Sequence, residues 1–154
     1  MLIKMNCANG GGGGGNNRLG HFYINDVTSY YNVYTPYNVF MDATTKPLQQ
    51  EWCASGNITW ISIKFDTSAT ISKIVVINWG AGNQTETAKT LKLQGSNDNS
   101  TWTDIDTYNL DYTSKGKTDI DVNGSTAYQY YKFTIANSGS YCGIGSLALY
   151  GSEE

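Results

Sequence analysis

The stretch Leu91–Ile105, LKLQGSNDNSTWTDI, decides how this chain folds. Leu91 and Leu93 alternate with Lys92 and Gln94, the period of a strand with one buried face. Gly95, Ser96, Asn97, Asp98, Asn99 and Ser100 then bunch together. Such residues accept positive φ or hydrogen-bond their own backbone, so they close a turn. Trp102 and Ile105 begin the return strand. The unit is a hairpin, and its register constrains whatever strands lie beside it.

Working outward, short extended segments follow one another on both sides. Upstream, His21–Ile24 reads as a first strand, and Ile58–Asp66 places Ile61, Ile63 and Phe65 on one face with Trp60, Ser62 and Lys64 on the other. Ile71–Asn78, ISKIVVIN, is more apolar and reads as a central strand. Downstream, Tyr108–Tyr112 is extended, Ser114–Lys117 is a turn, and Ile120 and Val122 alternate with aspartates. Tyr128–Ile135 sets Tyr131, Phe133 and Ile135 on one face, and Ile144–Gly151 closes the chain with Leu147 and Leu149 inward. Tyr30, Tyr31, Tyr34 and Tyr37 keep no single period. They read either as rings covering the ends of the core or as an aromatic platform for a ligand, the first being favoured. No segment sustains an i, i+3, i+4 apolar pattern. Seven or eight strands without helices predict an all-β fold, an antiparallel β-sandwich or jelly roll.

A chain of 154 residues suits one domain with a short appendage. Aromatic residues make up 13%, largely twelve Tyr, while charged residues make up 15%, well below the usual quarter, so strands and turns are favoured over helices. The net charge is −3 and the basic residues are scattered, with Arg18 the single arginine, which argues against a nucleic-acid footprint. No apolar run is long enough for a cleavable signal peptide or a membrane span. Six glycines at 10–15 read as a flexible linker, dividing the chain into an attachment segment (1–9), a linker (10–20), a sandwich domain (21–151) and a tail (152–154). The attachment segment would tether the domain to a larger assembly or to sister copies. Three cysteines, Cys7, Cys53 and Cys142, give no disulfide framework. Buried, idle thiols are the favoured reading, and a Cys53–Cys142 bridge is the alternative.

Three pieces stand in a telling order: EWCASGNITWISIKF, then LKLQGSNDNSTWTDI, then YQYYKFTI with IGSLALYG. This order resembles the discoidin domain, also called the coagulation-factor C-type domain, including the family 32 carbohydrate-binding modules. The resemblance spans Val39 to Gly151 and implies a galactose-binding-like jelly roll. Asp42 and Trp52 look like the family's Asp and Trp near the start of the sandwich. In sugar-binding members the contacting loops fall where this chain has Thr44–Gly56, Trp79–Lys89 and Asn137–Gly143. Sugar recognition needs an aromatic face for the apolar side of a pyranose and planar polar groups for its hydroxyls. The loops offer Gln49 and Gln50, then Trp79, Asn83, Gln84, Glu86 and Lys89, then Tyr141. The family's structural calcium would fall to Asp42 and Thr45 with backbone carbonyls, although its usual acidic partner in the last strand is Ser146 here.

Catalytic chemistry finds no support in the residues. His21 is the one histidine, and Asp104, Asp106, Asp119 and Asp121 alternate along strands as solvated faces. The expected function is therefore a non-catalytic carbohydrate-binding module at an extracellular surface or on a virion, with no membrane insertion. The alternative is a structural or protein-binding appendage, such as a phage decoration or fibre component or an adhesion module.

Overall fold

The computed structural model describes residues 17–32, 34–41, 51–78 and 85–154, together with the backbone of 4–6. Eleven strands appear among these residues: β1 (Lys4–Asn6), β2 (Asn17–Arg18), β3 (His21–Val27), β4 (Trp52–Ser55), β5 (Ile58–Ile77), β6 (Thr90–Ser96), β7 (Thr103–Asn109), β8 (Lys117–Asp121), β9 (Tyr128–Ala136), β10 (Tyr141–Ile144) and β11 (Ser146–Glu153). A single 3-10 turn, Pro36–Phe40, precedes β4 and begins on Pro36, whose fixed φ suits a first helical position. All named strand pairs are antiparallel.

The front layer runs β1-β3-β5-β9-β6-β7. The back layer sets β11 and β8 on either side of the second half of β5, with β2 outside β11. Strand β5 thus belongs to both layers. Its first half pairs with β3 and β9, its second half with β8 and β11. The sequence suggested two strands here, because Asp66, Thr67 and Ser68 interrupt the apolar pattern. The backbone nevertheless stays extended through them, and the phase change is absorbed by irregularities: the β9 register shifts between Lys64 and Ala69, and the β11 register between Tyr150 and Gly151. Gly151 is required at the second of these, since a Cβ there would run into the carbonyl oxygen of Thr70.

One apolar core lies between the layers. Ile61, Ile63, Phe65, Leu91, Leu93, Tyr131, Phe133 and Ile135 come from the front, and Ile74, Val76, Ile120, Leu147 and Leu149 from the back, all buried. These are the inward residues that strand alternation assigns. Edge-to-face aromatic contacts run through the core, Phe40–Phe22 at 4.9 Å, Phe22–Phe65 at 5.5 Å and Phe65–Tyr131 at 6.1 Å. The Tyr131 hydroxyl donates to the Ala69 carbonyl at 2.7 Å, which satisfies a buried polar group where β5 crosses.

The sheet extends further toward the N-terminus than the composition suggested. Lys4–Asn6 lies along the first half of β3, and Arg18 pairs with Tyr150, with Leu19 buried beside them. The two-stranded ribbon β4–β10 places Cys53 opposite Gly143 and Cys142 opposite Ala54. Directly opposed residues share a face, so the two cysteines project from opposite faces of the ribbon. Both are buried free thiols, so the bridge kept open by the sequence is not formed. A one-residue register slip would be needed to join them.

Candidate functional site

The β4–β10 ribbon, the start of β5 and the segment entering β6 meet at one end of the sandwich. The turn between β9 and β10 is built by Asn137. Its Nδ2 donates to the Tyr141 carbonyl at 2.7 Å, and its Oδ1 accepts from the Gly139 N–H at 3.0 Å. This is the local self-bonding that suits Asn to turns. The turn is then tied to the opposite loop: the Asn137 N–H donates to the Asn57 carbonyl at 2.9 Å, and the Gly56 N–H to the Ser140 carbonyl at 2.8 Å.

Residues 85–89 lie against the same turn. The Gly143 N–H donates to the Glu86 carbonyl at 2.8 Å and the Ala88 N–H to the Gly143 carbonyl at 2.9 Å, which gives a short parallel pairing centred on Thr87. Gly139 packs so closely on the Thr85 carbonyl that no Cβ fits between them. Lys89 anchors its backbone on the Ala136 carbonyl at 2.8 Å; its Nζ donates to Ser138 Oγ at 3.3 Å and sits 5.2 Å from the Tyr112 ring centre.

An aromatic edge stands beside this cluster. Tyr31 and Tyr141 meet edge to face with ring centres 5.2 Å apart. Tyr141 is half-buried and Tyr31 is 48% exposed. The Tyr31 N–H donates to the Cys53 carbonyl at 2.7 Å, so the ring is carried on the ribbon that also carries Tyr141. Asn32 holds the following turn with φ of 54°, a conformation Asn tolerates better than most residues. Burial, then the Glu86 carboxylate, pushes the Cys53 thiol up to about 11.

Of the residues expected to contact a ligand, Glu86, Lys89 and Tyr141 are brought to this one end. Gln49, Gln50, Trp79, Asn83 and Gln84 lie outside the described residues, as do Asp42 and Thr45, the expected calcium ligands. Among the described residues no group of three acidic, His or Cys side chains gathers to hold a metal. Glu51 is a buried carboxylate whose Oε2 lacks a hydrogen-bond partner, while Ser146, where a second carboxylate would stand, is a buried hydroxyl. One carboxylate is too few for the six to eight oxygens of a calcium site, so the described residues do not by themselves make one.

The sequence does not mark Tyr112 or Ser138 as site residues, and it offers Tyr31 only among four tyrosines with two readings. The tyrosines of that stretch differ in burial. Tyr37 packs against the core, whereas Tyr30 and Tyr31 are 55% and 48% exposed. The backbones of both Tyr31 and Tyr34 bond that of Cys53, about twenty residues away, so long-range pairing rather than local period sets these positions.

The architecture defines an antiparallel β-sandwich with an aromatic and polar cluster at one end of its strands. The F5/8 type C domain profile matches residues 24–148, and the chain belongs to that family. A search of curated proteins finds no match. Among solved structures, a family 32 carbohydrate-binding module from a family 31 glycoside hydrolase of Clostridium perfringens is 22% identical. It superposes with a TM-score of 0.66, over 85% of this chain and 91% of that one. An F5/8 type C domain from Bacteroides fragilis is 10% identical and gives a TM-score of 0.73, over 92% and 100% of the two chains. A further Clostridium perfringens module, solved in complex with GalNAc-β-1,3-galactose, is 16% identical with a TM-score of 0.62, over 82% and 93%. These likenesses establish the fold.

Proposed function

We propose that the chain is a non-catalytic glycan-binding module acting at an extracellular surface, and that it binds sugar at the end of the sandwich carrying Tyr31 and Tyr141. The observation that carries this reading is the edge-to-face pair of those rings at the end whose backbone also holds Lys89 and Glu86. An exposed ring offers a surface for the C–H face of a pyranose, and an ammonium and a carboxylate within the same end can bond hydroxyls. The fold neighbours add support, since one of them is solved with GalNAc-β-1,3-galactose and another with an unsaturated mannuronic acid. Trp79, Asn83 and Gln84 from one loop and Gln49 and Gln50 from another would complete the site, with any calcium at Asp42 and Thr45 serving the loop structure.

Such a site is shallow, so a single contact is weak and repeated display supplies the avidity. The test is a glycan array probed with the chain displayed multivalently, with and without Ca²⁺. Selective binding, weakened tenfold or more by Tyr141→Ala and by Trp79→Ala, is the expected result, a tenfold loss being about 1.4 kcal/mol. Silence across a broad array overturns the reading and leaves the structural or protein-binding appendage.

A further inference from the structure

The outward face of the front layer carries a charge pattern that the loop end does not use. Ile61, Ile63, Phe65, Leu91, Leu93, Tyr131 and Phe133 fill the core, so Trp60, Ser62, Lys64, Lys92, Gln94, Tyr130, Lys132 and Thr134 point the other way. Register pairs Lys64 with Tyr130, Ser62 with Lys132, Lys132 with Gln94, and Thr134 with Lys92. Lys64 on β5, Lys132 on β9 and Lys92 on β6 therefore step by one row per strand. They form a straight diagonal across three adjacent strands, with successive members about 7–8 Å apart.

Rings hold two of these lysines in place. The Lys132 Nζ lies 4.0 Å from the Trp102 ring centre and 5.0 Å from that of Trp60, and the Lys64 Nζ lies 5.4 Å from the Tyr130 ring centre. Aromatic packing orders the aliphatic stems without neutralising the ammonium groups. Among the described residues neither lysine has a salt bridge, although the Asp26 carboxylate on β3, the strand beside β5, acts on Lys132 from a distance. Lys92 pairs with Asp104 at 2.9 Å, but both side chains are substantially exposed, and a solvated pair of this kind is easily exchanged for another anion. This ordered cationic line stands on a protein whose net charge is −3.

We propose that the Lys64–Lys132–Lys92 diagonal is a binding track for a linear acidic polysaccharide. Anionic groups along the polymer would meet the three ammonium groups, Trp60 and Tyr130 would offer ring edges to the sugar C–H faces, and Thr134 would bond a hydroxyl, while the Gln94 amide donates to Asp104 at 2.6 Å. Three cations are too few to drive nucleic-acid binding through counterion release. The track lies on the sheet face rather than at the loop end, so it stands or falls independently of the glycan site proposed above.

Affinity electrophoresis of the full chain through gels containing polygalacturonate, with neutral galactan as the control polymer, tests the proposal. Expected is retardation by polygalacturonate that fades as salt rises. It should weaken fivefold or more in the Lys64→Gln/Lys132→Gln double variant, weaken partly in Lys64→Gln alone, and persist in Tyr141→Ala. Both lysines stand on the solvent side of their strands, so an unchanged thermal midpoint confirms that the variants fold. Retardation undiminished in the double variant overturns the track. So does its abolition by Tyr141→Ala, which would send the polymer to the loop end. Equal retardation of the wild-type chain by a single-stranded oligonucleotide would reduce the face to an unselective cationic patch.

Discussion

Asp98 shows how a single side chain closes the organising hairpin. Its Oδ1 accepts the N–H of Thr101 at 2.7 Å and of Ser100 at 2.8 Å, and the Ser96 hydroxyl at 3.0 Å. The Ser96 Oγ in turn accepts the N–H groups of Asn99 and Asp98, at 3.0 and 3.3 Å. Asn99 then takes φ of 59°, the left-handed conformation the turn needs. The Thr101 and Ser100 N–H groups, followed by the Ser96 hydroxyl, hold the Asp98 carboxyl far below its ordinary value of 3.8. A carboxyl lowered by folding stabilises the fold above its unfolded value, and that contribution is lost as pH falls below 3.8 through the folded value. Asp98→Ala should therefore lower the thermal midpoint by a few degrees at pH 7. The gap to the wild-type chain should narrow as the pH is taken below the carboxylate range. Thermal melts of both chains from pH 7 downward check this, and a gap that is absent at pH 7 or constant into acid refutes it.

At the scale of elements, what the sequence reveals depends on how local the cause is. The hairpin 91–105, strand β9 and strand β11 are legible because alternation and turn chemistry sit in one window of residues. The union of 58–66 with 71–78 into β5 is not, since the extended backbone at Asp66–Ser68 is enforced by strands pairing on both sides. Nor is the pairing of Lys4–Asn6 with β3, which propensity alone cannot specify. The candidate site divides in the same way. The Asn137 turn is local chemistry, and Lys89 and Tyr141 lie in stretches the sequence marks as loops, while Tyr31 reaches this end through a long-range backbone bond to Cys53. Gly139 couples two of these loops. Gly139→Ala would press a methyl group onto the Thr85 carbonyl and push the 137–141 turn away from residues 85–89. Because the turn is at the surface and the core is untouched, the thermal midpoint should fall modestly. Affinity for any sugar held at this end should fall at least fivefold. A chain that keeps full affinity with Gly139→Ala would show that the two loops act separately.

For the whole molecule, buried acids set an alkaline limit. Burial pushes the Cys53 thiol, which also faces the Glu86 charge, up to about 11, and the Cys142 thiol, next to Cys53, up to about 12, both from 9.0. Burial likewise pushes the Tyr131 phenol from 10.0 up to about 12, even though its hydroxyl is bonded to backbone. Each group is held in its protonated, neutral form by the fold. A pKa raised by folding adds stability that is complete below the unfolded value and disappears as pH rises toward the folded value. The losses should begin near pH 9 for the two thiols and near pH 10 for Tyr131. The thermal midpoint should accordingly be level from pH 7 to about 8.5 and then decline steadily to pH 11. The Cys53→Ala/Cys142→Ala variant removes the thiol part of that slope and keeps the Tyr131 part. Its midpoint at pH 7 will differ through lost packing, so the slope above pH 9 is the informative quantity. Iodoacetamide should leave the Cys53 and Cys142 thiols of the native chain unmodified at pH 7.5 and label them once the chain is unfolded, as peptide mapping that separates them from Cys7 would show. Parallel slopes in the variant and the wild-type chain would mean that the thiols ionise within the ribbon at no cost to the fold, contrary to their burial at the junction of β4 and β10.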